Sequence, residues 1–265
     1  MRKLIVSALL LFTASLVLAQ RDSPPSKGEL AEITERGRQL AAYDVAAWNA
    51  TDEVMATKPT EGSVARYIAR KTDDKWVVVF GRFNEKRDKF LIVFEATQGT
   101  SAVEFKIKKH EPPHEDSGFY FAAAKAIETA LADFRGENRP YNVVVLPAKS
   151  DQMHVYVLPA QTHNGVYTLG GDVRYLISKD ASKIVERRQL HKAILEFKVD
   201  ENAAAGFHTA ILDDIPEDTD VFFVLSRKPS VPEYIGTHKY VFRVEPDGTV
   251  NYLMTIEAFQ KMKER

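Results

Sequence analysis

An α+β fold is predicted from three features of the chain. Apolar residues recur at helical spacing near the start, then with a period of two over the next stretch, and a second helical stripe is followed mostly by short strands. Composition agrees with a globular protein: 265 residues, 45% of them apolar and 10% aromatic, are too hydrophobic for disorder. With 36 basic against 37 acidic residues there is no cationic surplus for phosphate, so no nucleic-acid partner is expected. The absence of cysteine excludes disulfides, thiolate metal sites, a cysteine nucleophile and a lipoprotein anchor.

The first nineteen residues have the pattern of a secretory signal peptide. Arg2 and Lys3 precede an apolar run over 4–18, and Ala19 stands before polar Gln20. The run is short for a membrane span, and no later run is long enough. The expectation is therefore a periplasmic or secreted bacterial envelope protein with no membrane span once 1–19 is removed. Residues 20–27 form a polar leader containing Pro24 and Pro25.

Ser26 and Glu29 have capping-box spacing, in which each side chain satisfies a free amide at a helix start. Leu30, Ile33, Leu40, Ala41, Val45 and Trp48 follow as an apolar stripe, predicting a helix over 28–49. Alternation predicts strands at 64–70, 75–83, 89–96 and 102–109, with Asp73-Asp74, 84–88 and Gln98-Gly99 as turns. In the last strand Val103, Phe105 and Ile107 oppose Glu104, Lys106 and Lys108, so one face of an antiparallel meander is expected to be wet and the helix to cover the other. This makes a helix-plus-sheet unit over 26–110, and the prolines of 111–117 read as a linker. A mixed unit over 118–258, of a helix and mainly antiparallel strands, would follow it, then a charged tail at 259–265.

In that second unit Asp116 or Ser117 can cap a helix whose stripe is Phe119, Ala123, Ile127, Ala130, Leu131 and Phe134, stopped at Gly136. Strands are expected at 141–146, 153–158, 173–178, 183–189 and 195–199, and a short helix at 218–225. A closing hairpin pairs 240–245 with 249–254 across Pro246-Asp247-Gly248, the strongest turn signal in the chain. Ile256 opens a charged terminal helix.

Three motifs bear on chemistry. His110-Glu111-Pro112-Pro113-His114 has the letters of a zinc-protease helix, but consecutive prolines deny it helical geometry. Gly170-Gly171-Asp172 lacks the Lys-Ser/Thr ending of a phosphate loop and reads as a tight turn. No G-x-S-x-G elbow singles out a serine. The third is Gly206-Phe207-His208-Thr209-Ala210, a His at a strand end, with Asp220 at the start of the short helix a dozen residues later. This could bring two metal ligands together.

On His208 and Asp220, residues 118–255 resemble the JAB/MPN (JAMM) metallopeptidase family. The family pattern is His-x-His, a Ser three residues before an Asp, and a Glu on an early strand, and it implies a zinc-dependent hydrolase. Here Ala210 stands at the second His, Glu217 at the Ser, and 141–146 carries no Glu. Only His208 and Asp220 carry over as metal ligands, with Asp213, Asp214 or His191 as possible sources of a third. The leading expectation is a non-enzymatic binding or structural module that holds no cofactor, its partner another envelope protein or a cell-envelope component. The alternative is a JAMM-like metal-dependent hydrolase, or an inactive relative, binding zinc. A groove around 229–232 with Tyr234 and His238 is a further candidate surface.

Overall fold

A computed structural model describes residues 23–198 and 200–264. The predicted signal peptide and the first three residues of the polar leader lie outside the described residues. Helix α1 (Lys27–Ala56) opens on the expected box: Ser26 Oγ accepts from Glu29 N–H at 3.2 Å and Glu29 Oε2 from Ser26 N–H at 2.9 Å. It runs two turns beyond the predicted 28–49, and its buried face keeps Leu30, Ile33 and Leu40 of the expected stripe but departs from it at Val45 and Trp48. Leu40, Tyr43, Ala47, Ala50 and Val54 are buried, whereas Trp48 is 66% and Val45 44% exposed. Small alanines let the helix lie close to its neighbours, and that contact outweighs the larger side chains in choosing the face.

Strands β1 (Arg66–Thr72), β2 (Lys75–Phe83), β3 (Phe90–Gln98) and β4 (Phe105–Asp116) form the antiparallel meander in that order. Asp73 and Asp74 both have positive φ, as a two-residue hairpin between right-twisted strands requires. Two expectations are corrected here. The supposed linker at 111–117 is largely strand, because β4 continues to Asp116. It is an edge strand, and Pro112 and Pro113 fall in a bulge between the pairs Ile92–His114 and Phe94–Lys109, so their missing amide protons break no ladder. Nor is the sheet wet on one whole face: Val78, Val79 and Phe80 in succession are buried, so β2 is covered on both sides, while β4 keeps Lys106 and Lys108 exposed.

The second cover is helix α2 (Phe119–Asp133), where Asp116 Oδ2 accepts from the amides of Gly118 and Phe121 at 3.1 and 2.8 Å. Beyond it, β5 (Tyr141–Pro147), β6 (Met153–Pro159), β8 (Val173–Ile177) and β9 (Ile184–Gln189) make a second antiparallel sheet. A ribbon of β7 (Val166–Gly170) and β10 (Ile194–Lys198) stands beside it. Alternate residues of β5 and β6 enter different cores. Val144, Leu146, Tyr156 and Leu158 join α1 and the meander, while Val145, Val155 and Val157 join α2. The predicted division into units at 110 and 118 is thus crossed by both cores.

The last sheet, β11 (Gly206–Thr209), β12 (Glu233–Gly236), β13 (Tyr240–Val244) and β14 (Val250–Thr255), is antiparallel except that β11 and β12 run parallel. A parallel pair needs a crossover, and helix α3 (Asp218–Ser226) supplies it. Leu30 and Ile33 of α1 share a third core with Val221, Ile235, Phe242 and Val244. A Cβ on Gly37 would lie 2.3 Å from that of Val221, so glycine is what lets α1 and α3 touch. Helix α4 (Ile256–Lys263) ends the described chain. No helix among the described residues is long and apolar enough to cross a membrane.

Candidate metal centre

The β11–α3–β12 crossover builds the site. Such units bring the end of a strand to the first turn of the following helix, where ligands commonly bind. His208 lies one residue from the end of β11 and Asp220 in the first turn of α3. Asp220 Oδ2 accepts from Glu217 N–H at 2.7 Å, half of a capping box in which Glu217 is the N-cap. The other oxygen is therefore aimed inward. Oδ1 lies 3.0 Å from His208 Nε2 and 3.0 Å from His191 Nε2, the latter from the loop between β9 and β10.

Each imidazole is held from behind by its own carboxylate. His191 Nδ1 is 3.0 Å from Asp172 Oδ1, and that oxygen also accepts from His191 N–H at 3.0 Å. Asp172 follows the glycine turn predicted at 170–171, where both φ are positive and a Cβ on Gly170 would be 2.1 Å from Ala193 O. His208 Nδ1 is 3.0 Å from Glu233 Oε1, and Glu233 Oε2 accepts from Arg227 at 2.7 Å. A Cβ on Gly206 would meet Glu233 Oε2 at 1.9 Å, so the glycine two residues before His208 makes room for this carboxylate.

These residues are buried, His208 to 5% exposure and Asp220 to zero. Burial works against the charge on both imidazoles, but neighbouring carboxylates outweigh it. Asp172 and Asp220 hold His191 well above its ordinary pKa, and Asp220 with Glu233 raises His208 to about 9. Burial likewise opposes ionisation of Asp220, and the two imidazoles reverse this and hold it well below the usual carboxylate range. Although 3.0 Å from Asp220 Oδ1, His208 Nε2 lies off the line of a hydrogen bond and has no hydrogen-bond partner.

One ligand atom from each of His191, His208 and Asp220 lies within 4.8 Å of the others. A tetrahedral zinc ion with bonds of about 2.0–2.2 Å spaces its ligands by about 3.3–3.6 Å, so an opening of a few tenths of an ångström would fit one. A carboxylate that accepts from Nδ1–H on the far side of an imidazole leaves Nε2 free for a metal. A cavity of about 60 Å³ adjoins both rings, walled by Leu169, Ala193, Leu195, Ile211 and Leu212.

The two residues singled out from sequence are thus neighbours, and of the three candidates for a third ligand it is His191 that joins them. Asp213 pairs instead with Arg188 at 2.8 Å, and Asp214 is buried outside the cluster. His110 and His114 sit together on β4, ring centroids 5.7 Å apart, on an extended strand rather than a helix. Sequence reasoning missed Asp172, Glu233 and Arg227. The Gly-Gly before Asp172 and the Gly two residues before His208 were the available signals, since each marks a backbone approached closely by another group. No family model, curated protein or solved structure matches the chain.

Proposed function

We propose that this is an exported metal-binding module in which His191, His208 and Asp220 hold one divalent ion of the zinc class. The observation that carries the reading is the pair of imidazoles facing one carboxylate oxygen through Nε2, each fixed through Nδ1 by a separate carboxylate. Imidazole nitrogens favour zinc and its transition-metal neighbours over calcium or magnesium. The ligands come from the β9–β10 loop, β11 and α3, so the ion would tie three separate segments together. Export rests on the pattern of residues 1–19, and an envelope protein or cell-envelope component is the partner that location suggests.

A JAMM-like hydrolase is the second reading, favoured by the cavity beside both rings, which is large enough for water. Among the described residues, that cavity has no carboxylate in its wall to act as a general base. Asp172 and Glu233 are engaged behind the imidazoles, and this supports binding over hydrolysis.

Elemental analysis of protein purified without chelator, beside His208→Ala, tests the proposal. The expected result is about one zinc per chain, lost in the variant. Absence of zinc from wild-type protein even after equilibration with the free ion would overturn it. Peptide hydrolysis by the loaded protein, abolished in the variant, would replace it with the hydrolase reading.

A further inference from the structure

A second cavity, of about 150 Å³, lies between the β7–β10 ribbon and the C-terminal end of α3. It shares no lining residue with the cavity at the metal centre. Both nevertheless lie along the same ribbon. Tyr167 and Phe197 are cross-strand partners in the second cavity, and two residues along each strand Leu169 and Leu195 are partners in the first. That step is about 7 Å.

We infer that this second cavity binds a small aromatic carboxylate, one ring bearing one anionic group. Its volume is that of an apolar cavity known to take benzene. Its walls are aromatic: Phe197 and Phe223 stand 5.3 Å apart at 52°, with Tyr167 beside them. Tilted rings of this kind offer edges and faces to a third ring. Ala203, Ala205 and Val231 complete an apolar floor.

The charge at the rim selects the anion. Lys198 and Lys228 line the cavity, and neither is in an ion pair among the described residues. Arg227 also reaches the cavity, but Glu233 neutralises it and Phe223 lies under its guanidinium at 4.8 Å. The one carboxylate in the wall is Asp200, so the lining carries more cationic than anionic residues. Tyr167 Oη accepts from Lys228 N–H at 2.8 Å, which leaves its own proton to donate to an incoming oxygen.

Benzoate, benzyl alcohol and acetate separate these contributions when titrated into the full chain and followed by ligand-observed NMR. Benzoate is expected to bind about tenfold more tightly than acetate, which has the charge without the ring. Replacing both lysines (Lys198→Gln with Lys228→Gln) should weaken benzoate roughly two- to fivefold and leave benzyl alcohol unchanged. Ala205→Trp fills the cavity without dismantling its walls and should abolish benzoate binding. The same titration with a metal chelator present distinguishes this site from coordination to a metal, because benzoate affinity should be unaltered there. Equal benzoate affinity in wild type and Ala205→Trp would overturn the proposal, and so would benzyl alcohol binding more tightly than benzoate.

Discussion

Two carboxylates in the first turn of α3, Asp218 and Asp220, are both buried and both surrounded by positive charge, yet their surroundings are suited to different tasks. Asp218 is held by donors alone: Arg36 Nε at 2.9 Å, Arg174 at 2.5 Å and the Tyr156 hydroxyl at 2.8 Å. Guanidinium groups have no lone pair to offer, so this cluster can only clasp. It fastens α1, β6 and β8 to α3. Asp220 faces imidazoles instead, and an imidazole that gives up its Nε2 proton becomes a ligand. Burial and charge are therefore shared by both sites, and it is the availability of lone pairs that would suit one of them to hold a metal.

The sharpest way to break this comparison is to remove each carboxylate in turn. Asp218→Ala leaves Arg36 and Arg174 facing a vacated site and should cost on the order of 3–5 kcal/mol in denaturant melts, while the folded fraction still binds zinc. Asp220→Asn should reverse the pattern, losing zinc at any temperature at which the protein is folded. If Asp218→Ala also lost zinc from folded protein, the two clusters would have to be treated as one.

The two regions also predict opposite flanks of the pH profile. In metal-free protein His208 binds its proton more tightly folded, at about 9, than unfolded. Its contribution is therefore complete below about 6.5, where the unfolded chain titrates, and is lost as pH rises through 9; it amounts to on the order of 3 kcal/mol. His154 lies beside the Asp218 clasp, and burial together with Arg174 lowers it to about 4. The folded state there binds its proton less tightly, so that contribution is present above about 6.5 and is lost as pH falls through 4. Thermal melts across this range should show both flanks. Added zinc should restore the alkaline side alone, because the ion replaces protons on Nε2.

Smaller effects test the carboxylates behind the two imidazoles. Asp172→Asn and Glu233→Gln should each lower zinc affinity by roughly ten- to a hundredfold in competition with a chromogenic chelator. At the far end of the scale, Trp48→Ser should change stability by no more than about 0.5 kcal/mol, since most of that ring faces solvent. A large loss would mean that the exposed face of α1 is covered in solution.

Much of the local structure was legible in the sequence because short-range rules decide it. The Ser26–Glu29 box, the first three meander strands, the 170–171 turn and the 246–248 hairpin all stand where spacing and turn chemistry place them. β7 and β12, of five and four residues, carried too little alternation to be read. The buried face of α1 was misread at Val45 and Trp48 because a helical stripe gives a period, while the neighbours that cover it decide which face is used.

What the sequence by itself determined is the α+β class, most of the element boundaries, and His208 and Asp220 as a pair worth watching. Only the tertiary structure decided that β4 runs through two prolines, since both lie in a bulge of an edge strand where no ladder bond is lost. It also decided that both halves of the chain share their cores, and that His191 rather than Asp213 or Asp214 completes the triangle. The physical reason is distance along the chain. His191, His208 and Asp220 belong to three segments, and their anchors Asp172 and Glu233 lie in other loops and strands. No local period links such positions, which meet because a parallel crossover and a glycine turn close on one another.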